Sequence, residues 1–272
     1  MALPPPSADR TCLVTGASSG IGAEIARELA RRGRGVTLVA RRKEKLEDLA
    51  TELAGAHGVR TEVVAADLAD AQSRARLADD VGDRGLTIDV LVNNAGLSTT
   101  GPVHRSDPDA ELRMLRVDVE AVVDLCSRVL PGMVTRGEGA VLNVASTAAF
   151  QPLPGQAGYG GCKAFVLAYT QAIHTELRGT GVTATALCPG PVDTGFGEAA
   201  GFDAADAEAA LPAFMWEQAA DVARVGVEGM DRGRAVVIPG VANAIGAYAG
   251  HLTPKSLLLP LLARQHPALK SR

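Results

Sequence analysis

The sequence of 272 residues predicts one α/β domain in which helices cover both faces of a doubly wound parallel sheet. Short segments rich in β-branched residues alternate with longer segments whose apolar residues recur at helical spacing. Strands that are separated by helices favour a parallel sheet buried on both faces. Small or polar residues follow most of the predicted strands, so one edge of the sheet is expected to collect them.

The elements are predicted to alternate along the chain, with helical patterns between most of the strands. The first strand spans residues 11–15, the first helix 20–33 and the second strand 35–40, and Ile21, Ile25 and Leu29 give that helix an apolar face. Further strands are predicted at residues 61–65, 88–93, 140–145, 182–188 and 235–238. This order predicts a Rossmann-type topology with its ligand cleft at the carboxyl ends of the strands.

Three regions of different composition are predicted along the chain. Residues 1–10 form a flexible amino-terminal segment, residues 11–240 form the Rossmann-type domain, and residues 241–272 form an apolar carboxyl-terminal extension that is interrupted by Pro254 and Pro260. Three hypotheses account for the leucines of the extension: they cover the cleft, pack on another subunit, or touch a membrane surface.

A lid is expected at about residues 195–220. This region begins with Gly, Ala and acidic residues, and it holds the aromatic residues Phe196, Phe202, Phe214 and Trp216. Such a segment beside a cleft favours a mobile cover with an apolar inner face. The alternative is a pair of surface helices whose aromatic residues fill a small separate core.

Charge and cysteine content exclude several functions. The net charge is −4, from 31 acidic and 27 basic residues, and this balance gives no electrostatic footprint for nucleic acid. The cysteines are far apart, which predicts buried free thiols in a reducing compartment and no metal site: Cys12, Cys126, Cys162 and Cys188. The chain starts without a secretory signal pattern, and its apolar stretches fall short of the roughly 18 residues that span a bilayer, so a cytoplasmic location is expected.

A glycine-rich turn follows the first predicted strand. Glycine lets the backbone turn sharply and approach a pyrophosphate, and the amino terminus of the following helix supplies N–H donors. The residues predicted to contact a dinucleotide here are Gly16, Ser18, Ser19, Gly20, Ile21 and Gly22. Their spacing differs from G-x-G-x-x-G in having three residues between the first two glycines.

Arg41 and Arg42 follow the second strand, where many dinucleotide folds place an acid for the ribose 2′-hydroxyl. A guanidinium binds a 2′-phosphate through charge-assisted hydrogen bonds, whereas an acid would repel it. The pair therefore predicts a preference for NADP(H), with NAD(H) as a possible second coenzyme. The alternative is that both arginines only solvate the start of the next helix.

Ser146, Tyr159 and Lys163 provide a hydroxyl, a phenol and an ammonium downstream of this turn. Tyr159 and Lys163 are four residues apart, so on a helix they share one face. A neighbouring positive charge is expected to lower the pKa of the phenol, so that Tyr159 acts as general acid in reduction and general base in oxidation. Ser146 is expected to hydrogen-bond the substrate oxygen as charge develops on it. This combination points to a carbonyl/alcohol oxidoreductase.

These motifs together resemble the classical short-chain dehydrogenase/reductase family over residues 11–194. They are Thr15-Gly16-x3-Gly20-x-Gly22, Asn93-Asn94-Ala95-Gly96, Ser146, Tyr159-x3-Lys163 and Pro189-Gly190. The resemblance implies that Lys163 also contacts the nicotinamide ribose. It places further cofactor contacts at Asp67, Leu68, Asn94, Ala95, Gly96, Pro189, Gly190, Val192 and Thr194.

Asp118 stands where this family usually has an asparagine of the catalytic set. The backbone carbonyl at this position could still hold the water of a proton relay. A carboxylate nevertheless adds a charge and lacks the two donors of an amide. Asp118 is therefore a catalytic candidate, and the alternative is a structural helix acid.

The sequence thus predicts an NADP(H)-dependent reductase that converts a hydrophobic ketone or aldehyde reversibly to an alcohol. Two alternatives are a non-catalytic NADP(H)-binding sensor or scaffold, and a peripheral membrane reductase of lipid-like ketones. The family resemblance also implies a homodimer or homotetramer formed through long helices at about residues 108–136 and 157–179.

Overall fold

A computed structural model describes residues 3–196, 212–265 and 269 of the chain. Within these residues, the strands form one parallel sheet in the order β3-β2-β1-β4-β5-β6-β7. The strands are β1 (Arg10–Thr15), β2 (Val36–Ala40), β3 (Thr61–Ala65), β4 (Thr87–Asn93), β5 (Gly139–Val144), β6 (Val182–Leu187) and β7 (Val236–Val237). The predicted doubly wound sheet is confirmed, with strand ends that shift by at most one residue.

Helices lie on both faces of this sheet. They are α1 (Gly20–Arg31), α2 (Lys43–His57), α3 (Ala71–Gly82), α4 (Pro108–Leu115), α5 (Ala121–Arg136), α6 (Ala157–Glu176), α7 (Ala219–Asp231), α8 (Val241–Leu252) and α9 (Lys255–Gln265). One apolar core joins residues of α3, α5 and α6 to the sheet, and a second joins α1, α2 and α7 to the other face. The central strands are apolar on both sides because both of their faces are covered.

The long helix predicted at residues 108–136 is interrupted in the structure. A π-helical turn over Arg116–Glu120 separates α4 from α5, and it buries Val117 and Asp118. Single π turns inside helices are frequent at functional sites because they redirect side chains by one extra residue. The periodicity of the sequence does not reveal this turn, since the apolar spacing changes by only one position.

Part of the predicted amino-terminal segment, residues 3–10, contacts the domain. Pro4 is buried, its carbonyl oxygen accepts a hydrogen bond from Arg34, and Arg10 already belongs to β1. The described part of the segment, residues 3–10, is therefore held against the domain by backbone and side-chain contacts. Most of the predicted lid falls outside the described residues, Phe202 included.

Three further features bear on the sequence predictions. All four cysteines are buried free thiols, as their apolar flanks predict. Within residues 3–196 and 212–265, the helices are too short or too polar to cross a membrane. A shallow concavity lined by His174, Arg178 and Arg232 lies at the amino-terminal end of β6 and contains no candidate site residue.

Asp89 on β4 introduces a pH dependence of stability at the amino-terminal end of the sheet. Its carboxyl group is 2% exposed, and its Oδ2 lies 3.6 Å from Nη1 of Arg34. Burial raises the pKa of Asp89 to about 6, against the opposing effect of Arg34. The folded state therefore binds this proton more tightly than the unfolded state, so the contribution of Asp89 to stability decreases as pH rises from 4 through 6.

We expect Asp89 to lower the free energy of unfolding of the wild type by about 3 kcal/mol as pH rises from 4 to 7. This decrease is expected to be absent in Asp89→Asn. Urea titrations of both proteins across this pH range measure the difference. Asp79→Asn, which changes an exposed acid of α3, serves as the control. Parallel pH curves for the wild type and Asp89→Asn would contradict the assignment.

Candidate active site

The candidate residues collect at the carboxyl ends of β1, β4, β5 and β6. The strand order reverses between β1 and β4, because the chain builds outward to β3 on one side and to β7 on the other. Ligands of open α/β sheets bind at this switch point. The glycine turn follows β1, the Asn94 turn follows β4, Ser146 follows β5 and the Pro189 turn follows β6.

The glycine turn leaves no room for side chains where it faces β4. Gly16 has φ +67°, and a Cβ there would lie 2.8 Å from Cα of Ala95. A Cβ on Gly22 would collide with the side-chain amide of Asn94 and the carbonyl oxygen of Gly16. Glycine is therefore required at both positions, by backbone conformation at the first and by close approach at both.

Thr15 joins this turn to the Asn94 turn. Its Oγ1 accepts hydrogen bonds from N of Asn94 at 3.0 Å and N of Ala95 at 3.1 Å. In return, Nδ2 of Asn94 donates to the carbonyl oxygen of Thr15 at 2.9 Å. These bonds hold the two turns together across the switch point, and Gly96 continues the second turn toward the catalytic residues.

Arg42 lies against the start of the glycine turn. Its Nη2 donates to Oγ of Ser18 at 2.9 Å and to Oγ of Ser19 at 3.0 Å. Arg41 is exposed and faces Asp67 closely enough to lower the pKa of that carboxyl group. The structure thus brings one arginine together with two serines at the amino terminus of α1, where Ile21 is half-buried, and this arrangement fits a phosphate.

Asp67 and Leu68 follow β3, and they differ in exposure: Asp67 is half-buried, whereas Leu68 is buried. Oδ2 of Asp67 accepts a hydrogen bond from Nη2 of Arg113 at 2.7 Å. Burial favours the protonated form, but this bond and the N–H of Ala69 outweigh it, so the pKa of Asp67 is lowered. The side chain of Leu68 is buried in the core, and its carbonyl oxygen accepts a hydrogen bond from Nη1 of Arg74 at 2.7 Å. Arg113 was missed by sequence reasoning because its partner is distant in the chain.

The catalytic candidates come from three elements that meet at the ends of β5 and α6. Oγ of Ser146 accepts a hydrogen bond from N of Ala148 at 3.1 Å, which caps the 3-10 turn Thr147–Phe150. Tyr159 and Lys163 share one face of α6, and Nζ of Lys163 lies 5.6 Å from the centre of the Tyr159 ring. Ser146 is close enough to lower the pKa of the phenol. The structure therefore brings the three residues together.

The pKa of Tyr159 departs from the sequence-based expectation. Burial of the phenol raises this pKa, and that effect exceeds the lowering effects of Lys163 and Ser146. Asp118 raises it further through its negative charge. The expectation of a lowered pKa was wrong for this structure because it counted the ammonium but neither the desolvation nor the nearby carboxylate.

Asp118 is the direct partner of Lys163. Its carboxyl group is buried, its Oδ1 accepts a hydrogen bond from N of Leu97 at 2.7 Å, and its Oδ2 lies 3.0 Å from Nζ of Lys163. The same ammonium donates to the carbonyl oxygen of Val144 at 3.2 Å. Burial alone would lower the pKa of Lys163, but the ion pair raises it, so the lysine stays protonated. The side chain of Asp118 is thus in contact with the catalytic set.

The proline turn folds back onto the glycine turn. The carbonyl oxygen of Pro189 accepts a hydrogen bond from N of Thr147 at 2.8 Å, which places this turn beside Ser146. Cβ of Thr194 lies 2.9 Å from where a Cβ on Gly20 would stand. The segment from Pro189 to Thr194 therefore spans the cleft from the catalytic serine to the glycine turn.

Two residues that sequence reasoning missed support this segment. N of Glu217 donates to the carbonyl oxygen of Pro191 at 3.1 Å, and Glu217 pairs with Val192 in a parallel β-bridge. Asn243 is buried against Gly190, and its Nδ2 donates to the carbonyl oxygen of Met215 at 3.0 Å. The feature that could have identified Asn243 from the sequence is an amide within the largely apolar segment of α8.

The described aromatic residues of the predicted lid divide into two groups. The ring of Phe196 lies 5.9 Å from the ring of Tyr159, so it forms an apolar wall beside the phenol. Phe214 is 75% exposed to solvent, and Trp216 is half-buried. Residues 197–211, between Phe196 and Phe214, lie outside the described part of the chain.

The sheet and the glycine turn together define an α/β protein with the cleft of a dinucleotide-binding fold, and Tyr159 and Lys163 lie beside this cleft. The family model of short chain dehydrogenases matches residues 10–203. The chain therefore belongs to the short-chain dehydrogenase family, whose members are oxidoreductases.

Relatives in sequence include reductases of different lengths. A very-long-chain 3-oxoacyl-CoA reductase of Anas platyrhynchos is 37% identical over 187 residues, which cover 65% of this chain and 58% of that protein. An uncharacterized oxidoreductase of Staphylococcus epidermidis is 32% identical over 194 residues, which cover 71% of this chain and 83% of the relative. The match thus spans about three fifths of the duck reductase and most of the bacterial protein.

Similar solved structures contain a reduced dinucleotide. A short-chain dehydrogenase from Sphingobium yanoikuyae in complex with NADPH has a TM-score of 0.80 and 33% identity, with 88% of this chain and 91% of that chain covered. A single-residue variant of the actinorhodin polyketide ketoreductase with NADPH has a TM-score of 0.77 and 30% identity, with 89% and 99% covered.

Proposed function

We propose that this protein is an NADP(H)-dependent reductase of hydrophobic ketones or aldehydes, acting reversibly on the corresponding alcohols. The observation that carries the proposal is the placement of Tyr159 beside Ser146 and Lys163, at the sheet edge where the glycine turn begins α1. A phenol in this position exchanges a proton with a substrate oxygen that lies beside the nucleotide cleft.

The residues of the cleft fit a phosphorylated dinucleotide. The glycine turn of Gly16, Gly20 and Gly22 leads into the amino terminus of α1, whose N–H groups suit a pyrophosphate. Arg42 with Ser18 and Ser19 provides a guanidinium and two hydroxyls for a 2′-phosphate. The NADPH in two similar structures supports this assignment, and NAD(H) is the weaker coenzyme in the proposal.

The catalytic residues divide the proton chemistry between them. When bound, the nicotinamide supplies the hydride to the carbonyl carbon. Tyr159 donates its phenolic proton to the carbonyl oxygen, and Ser146 donates a hydrogen bond to the same oxygen as negative charge develops there. Lys163 stabilises the phenolate that is left, and its own charge is held by Asp118. In the reverse direction, the phenolate accepts the proton of the alcohol.

A hydrophobic substrate class is supported by the wall beside the phenol and by the relatives. Phe196 packs near Tyr159 and presents an apolar surface next to the reacting group. One relative is named a very-long-chain 3-oxoacyl-CoA reductase, and one similar structure is a polyketide ketoreductase. The chemistry that they share is a ketone on an extended carbon skeleton.

Oxidation of NADPH tests the proposal directly. The assay follows the coenzyme absorbance with a long-chain 3-oxoacyl thioester, a bulky cyclic ketone and a short polar ketone, each with NADPH and with NADH. We expect turnover with NADPH that is faster for the apolar ketones. Tight NADPH binding by fluorescence without turnover on any ketone would favour a non-catalytic sensor instead.

Asp118 is expected to set the pH range of this reaction. Reduction requires the neutral phenol, so its rate falls as pH rises through the pKa of Tyr159. The carboxylate of Asp118 raises that pKa, and Asp118→Asn removes the negative charge while it keeps the shape of the side chain. We therefore expect the alkaline limb of the kcat/KM profile for reduction to move to lower pH.

The matched control is Asp124→Asn, since Asp124 lies on α5 and pairs with Arg74 and Arg128 away from the phenol. Its profile is expected to coincide with that of the wild type. An unchanged alkaline limb in Asp118→Asn would show that the carboxylate does not act on Tyr159.

A further inference from the structure

We propose that helices α8 and α9 form a docking surface for bilayers that contain anionic lipids, and that this surface holds the mouth of the cleft at the membrane. The proposal goes beyond the proposed reductase activity and does not depend on it. Four observations carry it: an apolar helix face, a leucine-rich helix without buried side chains, a basic charge balance, and the contact of α8 with the turn at Ser146.

Helix α8 has one exposed face that is entirely apolar. Val241, Ile245, Tyr248 and Leu252 recur at helical spacing and are 79%, 65%, 51% and 80% exposed. The opposite face is buried through Asn243, Ala247 and Gly250. The helix therefore packs on the domain by its small residues and presents its large ones to solvent, the reverse of an ordinary surface helix. A face of this kind normally marks an interaction site.

Helix α9 continues this surface. It contains Leu257, Leu258, Leu259, Leu261 and Leu262, yet none of the side chains described between residues 255 and 264 is buried. Its start is attached to α8, because Nζ of Lys255 donates to the carbonyl oxygen of Gly250 at 2.9 Å. Apolar side chains therefore remain exposed along this second helix too, among them Leu257 and Leu261, which are 70% and 52% exposed.

The basic residues of this region indicate which kind of partner binds the surface of α8 and α9. Residues 241–272 contain Lys255, Arg264, Lys270 and Arg272 and no acidic residue, although the whole chain has a net charge of −4. Basic residues that flank an apolar helix face attract anionic lipid headgroups, while the apolar side chains enter the interface. A second copy would bring the same basic residues to a two-fold interface, where like charges repel.

The position of α8 connects this surface to the cleft. The ring of Tyr248 lies 5.5 Å from that of Phe150 in an edge-to-face contact, and Nδ1 of His251 lies 3.3 Å from the carbonyl oxygen of Phe150. Phe150 ends the 3-10 turn that Ser146 caps. A bilayer that binds α8 therefore lies next to the catalytic serine, where an apolar ketone could enter from the lipid.

Vesicle flotation with the full chain tests the docking. We expect the protein to float with vesicles of phosphatidylcholine and phosphatidylglycerol, to bind much less to phosphatidylcholine alone, and to dissociate in high salt. The variant Ile245→Glu/Leu252→Glu is expected to lower the partition coefficient by at least about tenfold. The control Leu112→Glu changes a leucine of α4 that is 48% exposed, and it is expected to bind as the wild type does.

A second variant tests the role of charge without altering the apolar face. Arg264→Gln, which leaves the contact of Lys255 with Gly250 in place, is expected to reduce the preference for anionic vesicles while its melting temperature stays near that of the wild type. The molar mass by light scattering and the NADPH-dependent reduction of a water-soluble ketone are measured for each variant without vesicles. These readouts separate a loss of docking from a loss of fold or of reductase activity.

Either of two results would overturn the proposal. One is the absence of wild-type flotation with anionic vesicles at low salt. The other is a lower molar mass for Ile245→Glu/Leu252→Glu than for the wild type, because a second copy would then be what covers α8.

Discussion

Replacing Tyr159 with phenylalanine is expected to lower kcat for NADPH-dependent ketone reduction by about 10³-fold. The change deletes only the phenolic oxygen, so the proton can no longer reach the carbonyl oxygen from α6. The ring keeps its contact with Phe196, and the glycine turn that receives the coenzyme is untouched. The Kd for NADPH, measured by fluorescence titration, is therefore expected to stay close to that of the wild type.

The same helix offers a matched control for this substitution. Tyr169 lies on α6 and stacks on Phe165 with ring centres 5.7 Å apart, away from Ser146. Tyr169→Phe removes an equivalent hydroxyl and is expected to retain most of the wild-type turnover. If Tyr159→Phe keeps more than about a tenth of the wild-type kcat, the proton does not come from this phenol.

Arg42→Asp is expected to shift the coenzyme preference by about a hundredfold toward NADH, measured as the ratio of kcat/KM for NADPH to that for NADH. A hydrogen bond to a charged group contributes about 1.5–3 kcal/mol, and 1.4 kcal/mol corresponds to a factor of ten. The carboxylate would also repel a 2′-phosphate where the guanidinium now reaches Ser18 and Ser19. NADH lacks that phosphate, so its kcat/KM should change little.

Arg41→Asp separates the two arginines that the sequence presents together. Arg41 faces Asp67 rather than the serines, so we expect its substitution to shift the ratio less than that of Arg42. Arg76→Asp on α3 provides the same charge change at an exposed position away from the cleft. Equal coenzyme ratios for Arg42→Asp and Arg76→Asp would exclude Arg42 as the residue that selects the phosphate.

The fold and the residues that come together at the candidate site could be predicted from the sequence because both depend on short-range patterns. Alternating β-branched and helical segments leave a parallel sheet as the arrangement that buries them, and such a sheet brings its strand ends to one edge. Tyr159 and Lys163 are adjacent on any helix that contains both. The confirmed sheet order and the shared face of α6 follow from these local rules.

Other properties depended on contacts between residues that are distant in the chain. The sequence placed Asp118 near an expected asparagine position, but the ion pair with Lys163 exists because a π turn and α6 converge at the end of β4. Burial of the phenol, with a smaller contribution from the charge of Asp118, reverses the expected direction of the Tyr159 pKa. Arg113, Glu217 and Asn243 join the site in the same way, through partners that no sequence spacing connects.

The sequence by itself therefore determined the kind of fold and the edge of the sheet at which the candidate side chains collect. Only the tertiary structure decided which arginine meets the serines, which charge faces Lys163 and which face of α8 remains exposed. The physical reason is that periodicity records which residues share a face, whereas desolvation and Coulomb interactions depend on distances between elements that only folding brings together.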